Sequence, residues 1–193
     1  MIDAEILGRA EVGGEDKTII SKVDIAKNAN GHYGNSGKEY TIVGELTTFK
    51  GEEKGLKAGM ERIKYFSEKE RIEFEIFIDD DGRLRNWKGE IFSTVALKTI
   101  SGGKGNAIFV MTTDGRIFIG PQSHGYIHHS SFVSGGAVAA AGEIVVRAGR
   151  VSMINAKSGH YFPEPWELSN KQFLDELSLR GVDTNSIDQF KGF

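Results

Sequence analysis

Three stretches of the chain share a pattern of apolar and polar positions that is typical of β-hairpins. In each, a run of β-favouring apolar residues leads through a glycine-containing turn into a second apolar run. The first runs occupy 74–78, 107–111 and 143–146, and the second runs occupy 84–87, 117–119 and 151–154. The turns are Asp81-Gly82, Asp114-Gly115 and Ala148-Gly149. Because both residues of such a turn need positive φ, the pattern predicts three hairpins.

The run 107–111 differs from the other two because apolar side chains occupy every position. Successive side chains of a strand face opposite sides of the sheet, so this strand has two apolar faces. A strand of that kind is typical of a sheet interior. We therefore expect 107–111 to be a central strand.

Helical spacing is found in two segments. The positions of Leu56, Met60 and Ile63 predict a helix over 55–66. The second helix is predicted to begin at Ser169 and to end before Gly181, a residue type that commonly follows the last turn of a helix.

The start of that second helix carries a recognisable signal. Ser169 and Gln172 have the spacing of a capping box, and Leu168 and Phe173 flank the cap as a hydrophobic staple would.

Residues 38–49 alternate between apolar and polar side chains sufficiently to predict a strand, and the tail after 187 is expected to fray.

Composition limits the classes of protein to consider. The 193 residues include 25 glycines, three prolines and no cysteine, and the net charge is −3. Disulfides and thiolate metal sites are thereby excluded, and no positive field favours nucleic acid. No apolar run approaches a membrane span, and the first twenty residues lack the apolar core of a secretory signal. We expect a cytoplasmic protein, or one secreted without a signal peptide, that binds neither nucleic acid nor membrane.

These elements predict a single α+β domain with a meandering, mostly antiparallel β-sheet and flanking helices. We expect residues 1–50 to form an N-terminal strand or loop region that either is part of this domain or lies beside it. Residues 51–193 carry the candidate site.

The candidate site lies between residues 124 and 163, which contain four of the five histidines. His128 and Ser130 would share one face of an extended segment, and His129 and Ser131 the other. Neighbours of this kind rarely form a nucleophile–base pair, so a distant base such as His160 would be needed. The alternative is that the hydroxyls cap backbone groups.

A second cluster, Ser158-Gly159-His160-Tyr161, would place an imidazole and a phenol at a chain corner. Gly135, Gly136 and Gly142 would let a ligand approach the backbone, with tight sheet packing as the alternative. No phosphate-binding loop motif is present.

A metal site is a further alternative. Imidazoles of His124, His128, His129 and His160 could act with a carboxylate from Glu143 or Glu164. The spacing of known zinc motifs is absent, so no metal ligand is assigned.

Two segments carry a family resemblance: HHSSFVSGGAVAAAGEIVV and SGHYFPEPWELSNKQFLDEL. Together with IKYFSEKERIEFEIFIDDDGRLRNWKG and AIFVMTTDGRIFIG, they resemble the plant IQ-motif-containing (IQM) proteins, which are associated with calmodulin. The likeness covers roughly residues 57–185, and similar HSSF…SGHY segments occur in bacterial secreted effectors and polymorphic toxins. The resemblance implies a pocket formed by His129, Ser130, Ser131, Phe132, Gly135, Gly136, Gly142, Ser158, Gly159, His160 and Tyr161. The chain has no Ile-Gln dipeptide, so the calmodulin contact is not carried over.

Three functions follow as expectations. The first is an effector- or toxin-like enzyme acting on NAD or another nucleotide by ADP-ribosyl transfer or NAD hydrolysis, with a host or immunity protein as a further partner. His129, His160 and Glu143 would be catalytic. The ligand would be bound by His128, Ser130, Ser131, Gly135, Gly136, Gly142, Ser158, Gly159 and Tyr161. The second is a non-catalytic ligand-sensing or protein-interaction module, and a metal hydrolase is a weaker third.

Overall fold

The computed structural model describes residues 35–55 and 62–192. In chain order the strands are β1 (Phe77–Ile78), β2 (Leu84–Arg85), β3 (Lys98–Thr99), β4 (Gly103–Lys104), β5 (Ala107–Met111), β6 (Ile117–Gly120), β7 (Ala140–Arg147), β8 (Arg150–Asn155) and β9 (Asp188–Phe190). The helices are α1 (Glu68–Arg71) and α2 (Trp166–Leu179), with 3₁₀ helices at Glu52–Lys54, Ile72–Phe74 and His129–Val133.

A five-stranded sheet in the order β6-β5-β7-β8-β9 organises the described residues, and β1-β2 and β3-β4 form separate two-stranded ribbons. Every pair is antiparallel except β8 and β9, which run parallel. The predicted α+β fold with a mostly antiparallel sheet is confirmed. No helix among the described residues is long and apolar enough to cross a bilayer.

The three predicted hairpins are present, with β1-β2, β5-β6 and β7-β8 as their strands. The first is shorter than predicted, because Phe74 belongs to a 3₁₀ helix and stacks on Phe66 at 4.8 Å between ring centroids. Phe74 also packs on Phe132 at 5.1 Å, so aromatic contacts, one of them with a distant segment, occupy the position where the strand was predicted to begin.

The predicted central position of β5 is confirmed, because it pairs with β6 on one side and β7 on the other and is fully buried. Its alternate side chains belong to two separate apolar clusters. Phe109 packs on Phe173 of α2 at 4.3 Å, whereas Ile108 and Val110 share the opposite cluster with Phe132. The candidate site therefore lies on the face of the sheet away from α2.

Helix α2 ends as predicted, with Gly181 just past it at a φ of +89°. Its predicted start is wrong. The helix begins at Trp166, so Ser169 lies buried inside it and does not cap it. Gln172 makes no capping box either, because its side chain donates to the carbonyls of Thr41 and Ala139 at 2.9 and 2.8 Å.

Three further predictions, for residues 38–49, the C-terminal tail and residues 55–66, differ from the structure. Residues 38–49 form no strand, only an isolated bridge between Gly44 and Val138. The tail does not fray, because Asp188–Phe190 pairs with β8. Half of the predicted helix at 55–66, residues 56–61, lies outside the described residues, and its described part, 55 and 62–66, is not helical. The division of the chain at residue 50 stays a prediction.

Candidate functional site

A buried carboxylate, that of Glu52, lies where the candidate segments meet. Its side chain accepts hydrogen bonds from Ser130 Oγ and from the Tyr65 hydroxyl at 3.3 Å. His160 Nε2 lies 2.8 Å from its other oxygen. Burial alone would raise the pKa of Glu52, but hydrogen bonds from His160 and Ser130 outweigh burial and lower it. We call Glu52, Tyr65, Ser130 and His160 the carboxylate hub.

Three rings stack beside this hub. His160 lies between Phe49 and His128, with ring-centroid distances of 4.5 and 4.4 Å. His128 Nδ1 is 3.5 Å from the side-chain amide nitrogen of Gln122. Burial and the neighbouring His160 lower the pKa of His128 to about 4, so this imidazole is neutral near pH 7.

His129 faces away from the stack and is 2% exposed. Its Nε2 lies 2.9 Å from the carbonyl oxygen of Gly142, so the imidazole donates to β7. Burial lowers its pKa to about 3. His129 therefore holds the 3₁₀ helix against the sheet as a neutral imidazole, and its Nε2 is occupied by the hydrogen bond to the Gly142 carbonyl.

The other polar groups of the predicted site bond to backbone. Ser131 Oγ accepts from the amide of His128 at 3.0 Å, and Ser158 Oγ accepts from the amide of Tyr161 at 3.3 Å. The phenol of Tyr161 donates to the carbonyl of Gly136 at 2.8 Å. Burial raises the pKa of Tyr161, so its proton stays in this hydrogen bond.

The glycines have different surroundings. A Cβ on Gly142 would lie 1.7 Å from the carbonyl oxygen of Asn155, and one on Gly135 would lie 2.7 Å from the Tyr65 hydroxyl. Gly136 would meet the Val133 carbonyl at 3.0 Å, whereas nothing lies within 4 Å of a Cβ on Gly159. Close packing accounts for Gly142, as the alternative explanation proposed.

Glu143 lies in a different setting from the histidines. It accepts from Ser101 Oγ at 2.5 Å and from the Asn155 amide at 3.4 Å. The three residues predicted as catalytic therefore do not form one cluster: His160 joins the carboxylate hub, His129 bonds to β7, and Glu143 bonds to Ser101 and Asn155.

The hub lacks the connectivity of a hydrolytic triad. In a triad the histidine bonds to the nucleophile and the acid bonds to the histidine. Here one carboxylate receives both the Ser130 hydroxyl and the His160 imidazole, and Ser130 is fully buried. The arrangement joins the segments of Glu52, Ser130 and His160, and the partner of the Ser130 hydroxyl is a carboxylate rather than an imidazole.

Sequence reasoning missed Glu52, Tyr65 and Phe49. All three precede the glycine- and histidine-rich stretch, and none belongs to a recognisable motif. The one available signal was the Gly51-Glu52 pair in a loop-like segment, which indicates a turn and no more. Across 35–55 and 62–192, no group of three histidines or carboxylates is arranged to hold a metal ion.

Known proteins with similar sequences belong to one family. The sequence model of the family described as "IQ motif-containing protein middle domain" matches residues 70–168. IQ domain-containing protein IQM3 of Arabidopsis thaliana is 35% identical over 130 residues, covering 67% of this chain and 27% of that protein. IQ domain-containing protein IQM1 of the same plant is 36% identical over 127 residues, covering 65% and 24%. The chain thus spans about a quarter of the length of these relatives, and no solved structure matches it.

These matches correct the first predicted function. A bacterial effector- or toxin-like enzyme that transfers ADP-ribose or hydrolyses NAD is wrong, because the relatives are plant IQ domain-containing proteins. The geometry gives the physical reason, since Ser130, His129 and Tyr161 are held in internal hydrogen bonds. The predicted likeness to the plant IQM proteins is confirmed.

Proposed function

The chain belongs to the family of IQ motif-containing protein middle domains, and from this we propose that it is a non-catalytic protein-interaction module. Its relatives are about four times longer than the matching segment, so in those proteins the domain is one part of a larger chain. The Ile-Gln dipeptide is absent from this chain. We therefore look for partner contacts on the surface of the described residues.

One observation carries the proposal: the groups that would perform chemistry are engaged inside the fold. Ser130 donates to Glu52, His129 donates to the carbonyl of Gly142, and Tyr161 donates to the carbonyl of Gly136. A nucleophile needs a base and an open approach, and Ser130 is fully buried with a carboxylate as its partner. The hydrogen bonds of Ser130, His129 and Tyr161 stabilise the folded domain.

The surface beside the hub supports the same function. Phe162 follows the Ser158–Tyr161 cluster and has a φ of +43°, a region that bulky residues seldom adopt. Its ring is nevertheless 59% exposed. Strained backbone that presents an apolar ring to solvent is typical of recognition loops.

The test is selection of peptides from a random phage-displayed library on the purified chain, followed by calorimetric titration with the recovered peptides. We expect saturable binding of one peptide per chain, with a dissociation constant of about 1–100 μM for a single short segment. Binding should also raise the melting temperature, because the ligand stabilises the folded state.

Ser130→Ala is the matched control for chemistry. The variant removes the hydroxyl that donates to Glu52, and a folded binding module whose contacts lie on the surface should keep its peptide affinity within about twofold of the wild type. Absence of any binding peptide, or a small-molecule turnover that Ser130→Ala abolishes, would contradict the proposed function.

A further inference from the structure

A groove opens between β3 and the segment that follows β6. It encloses about 500 Å³ and is lined by apolar Leu97, Ile100 and Pro121 together with polar Gln122 and His124. Two hydrogen bonds hold its walls: the Gln122 amide donates to the carbonyl of Lys98 at 3.2 Å, and the Ile100 amide donates to the Gln122 side chain at 2.9 Å. The groove is therefore formed before any ligand arrives.

Large apolar side chains are exposed at and around this groove. Ile100 lines it and is 54% exposed, while Val95 and Tyr126 lie next to its walls in the chain and are 48% and 52% exposed. Apolar groups in water gain free energy when a partner covers them. The groove offers room for an apolar side chain of a partner.

Two pairs of basic residues lie opposite one another on neighbouring strands, and Lys98 of the first pair lines the groove. Lys98 lies opposite Lys104 across β3-β4, and Arg147 lies opposite Arg150 across β7-β8. Directly opposed like charges on a sheet are destabilising. Within the part of the chain that the structure describes, none of these four residues forms an ion pair.

The two basic pairs are close together. Gly105 follows Lys104, and a Cβ on Gly105 would lie 3.7 Å from the Arg147 guanidinium. The whole chain carries a net charge of −3, so this concentration of positive charge is local. Unpaired basic residues beside an apolar cavity are complementary to a segment with acidic and apolar side chains.

We propose that this groove, which we call the basic groove, binds an acidic protein segment that carries one large apolar anchor. Carboxylates of the segment contact Lys98, Lys104 and Arg147, and the anchor enters the cavity against Ile100. The inference rests on the proposed interaction function and names the surface and the partner chemistry. A nucleic acid fits less well, because the apolar residues that line the cavity are all aliphatic whereas bases need aromatic stacking, and the net charge provides no general attraction.

Fluorescence anisotropy with labelled synthetic peptides of equal length tests the inference on the full chain. The probes are an acidic peptide with a Leu anchor, the same peptide with Ser at the anchor, a basic peptide with the Leu anchor, and a single-stranded RNA. We expect the acidic Leu peptide to bind, and its affinity to fall by about tenfold from about 50 to about 300 mM salt, because rising ionic strength screens exposed charges. The Ser peptide should bind at least about tenfold more weakly, since apolar burial supplies much of the affinity.

Matched variants locate the site. Lys98→Glu/Lys104→Glu should weaken the acidic Leu peptide by more than about tenfold, whereas Lys69→Glu/Lys88→Glu, with the same change in net charge, should leave it within about twofold. Ile100→Ser should weaken it similarly, while Leu179→Ser, at a comparably exposed site on α2, should not.

The outcomes separate this inference from the proposed function. Equal binding of the Ser or basic peptide, tighter binding of RNA, or insensitivity to Lys98→Glu/Lys104→Glu overturns the basic groove. If display-selected peptides still bind those variants, the interaction module stands and only its assigned surface is wrong. If neither synthetic nor selected peptides bind the folded chain, both proposals fail together.

Discussion

Gly142 and Gly159 come from the same glycine-rich part of the chain, yet they have opposite surroundings. Gly142 lies in β7 with the backbone of Asn155 pressed against it, and Gly159 faces open space. Neither residue has a positive φ, so conformational freedom does not explain either one. At the residue scale, glycine is required for close packing at position 142, whereas no contact requires glycine at position 159.

This contrast leads to a paired prediction. Gly142→Ala should lower the free energy of unfolding by about 3 kcal/mol, because an extra methyl group has to displace the backbone of Asn155. Gly159→Ala should change it by less than about 0.5 kcal/mol, as surface substitutions usually do. Urea unfolding of both variants measures the difference, and equal effects would show that the packing around Gly142 is described incorrectly.

At the scale of elements, turn chemistry was the most informative local signal. All three glycine turns join paired strands, and the bounds of β5 are those predicted from its apolar run. Local signals failed where a distant partner changed the backbone's preference. Phe74 belongs to a 3₁₀ helix and packs on Phe132 at 5.1 Å, and Ser169 is buried inside α2, which begins three residues before the predicted cap.

The β7-β8 hairpin permits a stabilising substitution. Ala148 and Gly149 have φ values of 47° and 80°, the left-handed conformations of a type I′ turn. Asparagine tolerates this conformation better than alanine does, so Ala148→Asn should raise the free energy of unfolding by about 0.5–1 kcal/mol.

Ala96→Asn is the control for that substitution. Ala96 is exposed but has no positive φ, so asparagine there should bring no gain. Thermal unfolding of both variants decides the matter, and a fall in stability for Ala148→Asn would argue against the type I′ geometry.

For the whole molecule, the carboxylate hub connects segments that are far apart in sequence. Glu52 joins the 3₁₀ helix through Ser130, 78 residues away, and reaches the corner before α2 through His160. The neighbouring His128 and His129 are neutral in the folded state, because burial lowers the pKa of both. Their burial should make the stability of the fold sensitive to acid.

The sign follows from linkage. From the ordinary pKa of 6.5 down to about 4 for His128 and about 3 for His129, the unfolded chain binds protons that the folded chain excludes. Stability is full above this window and falls as pH decreases through it. At about pH 5.5 the loss should be about 1.4 kcal/mol for His129 and about 1 kcal/mol for the less buried His128. Glu52, with its lowered pKa, adds a further loss below the carboxylate's ordinary pKa.

Urea unfolding at about pH 7.5 and about pH 5.5 measures this loss for the wild type and for His129→Gln. We expect the variant to lose about 1.4 kcal/mol less than the wild type between the two conditions, whatever its absolute stability. His128→Gln provides the same comparison if His129→Gln does not fold, and the exposed His124→Gln should keep the wild-type dependence. A wild-type pH dependence in both inner variants would mean that these imidazoles are not held neutral.

The sequence alone determined the hairpins, the central strand, the end of α2 and the family likeness, because each depends on residues close together in the chain. Only the tertiary structure decided which groups the histidines and serines contact. Glu52 carries no motif, and its meeting with Ser130 and His160 depends on how three distant segments pack. The basic groove likewise depends on the tertiary structure, because β3 meets the segment after β6 there and Arg147 of β7 lies near the turn that follows Lys104. Local backbone preference is encoded by neighbours in sequence, whereas burial and charge depend on neighbours in space.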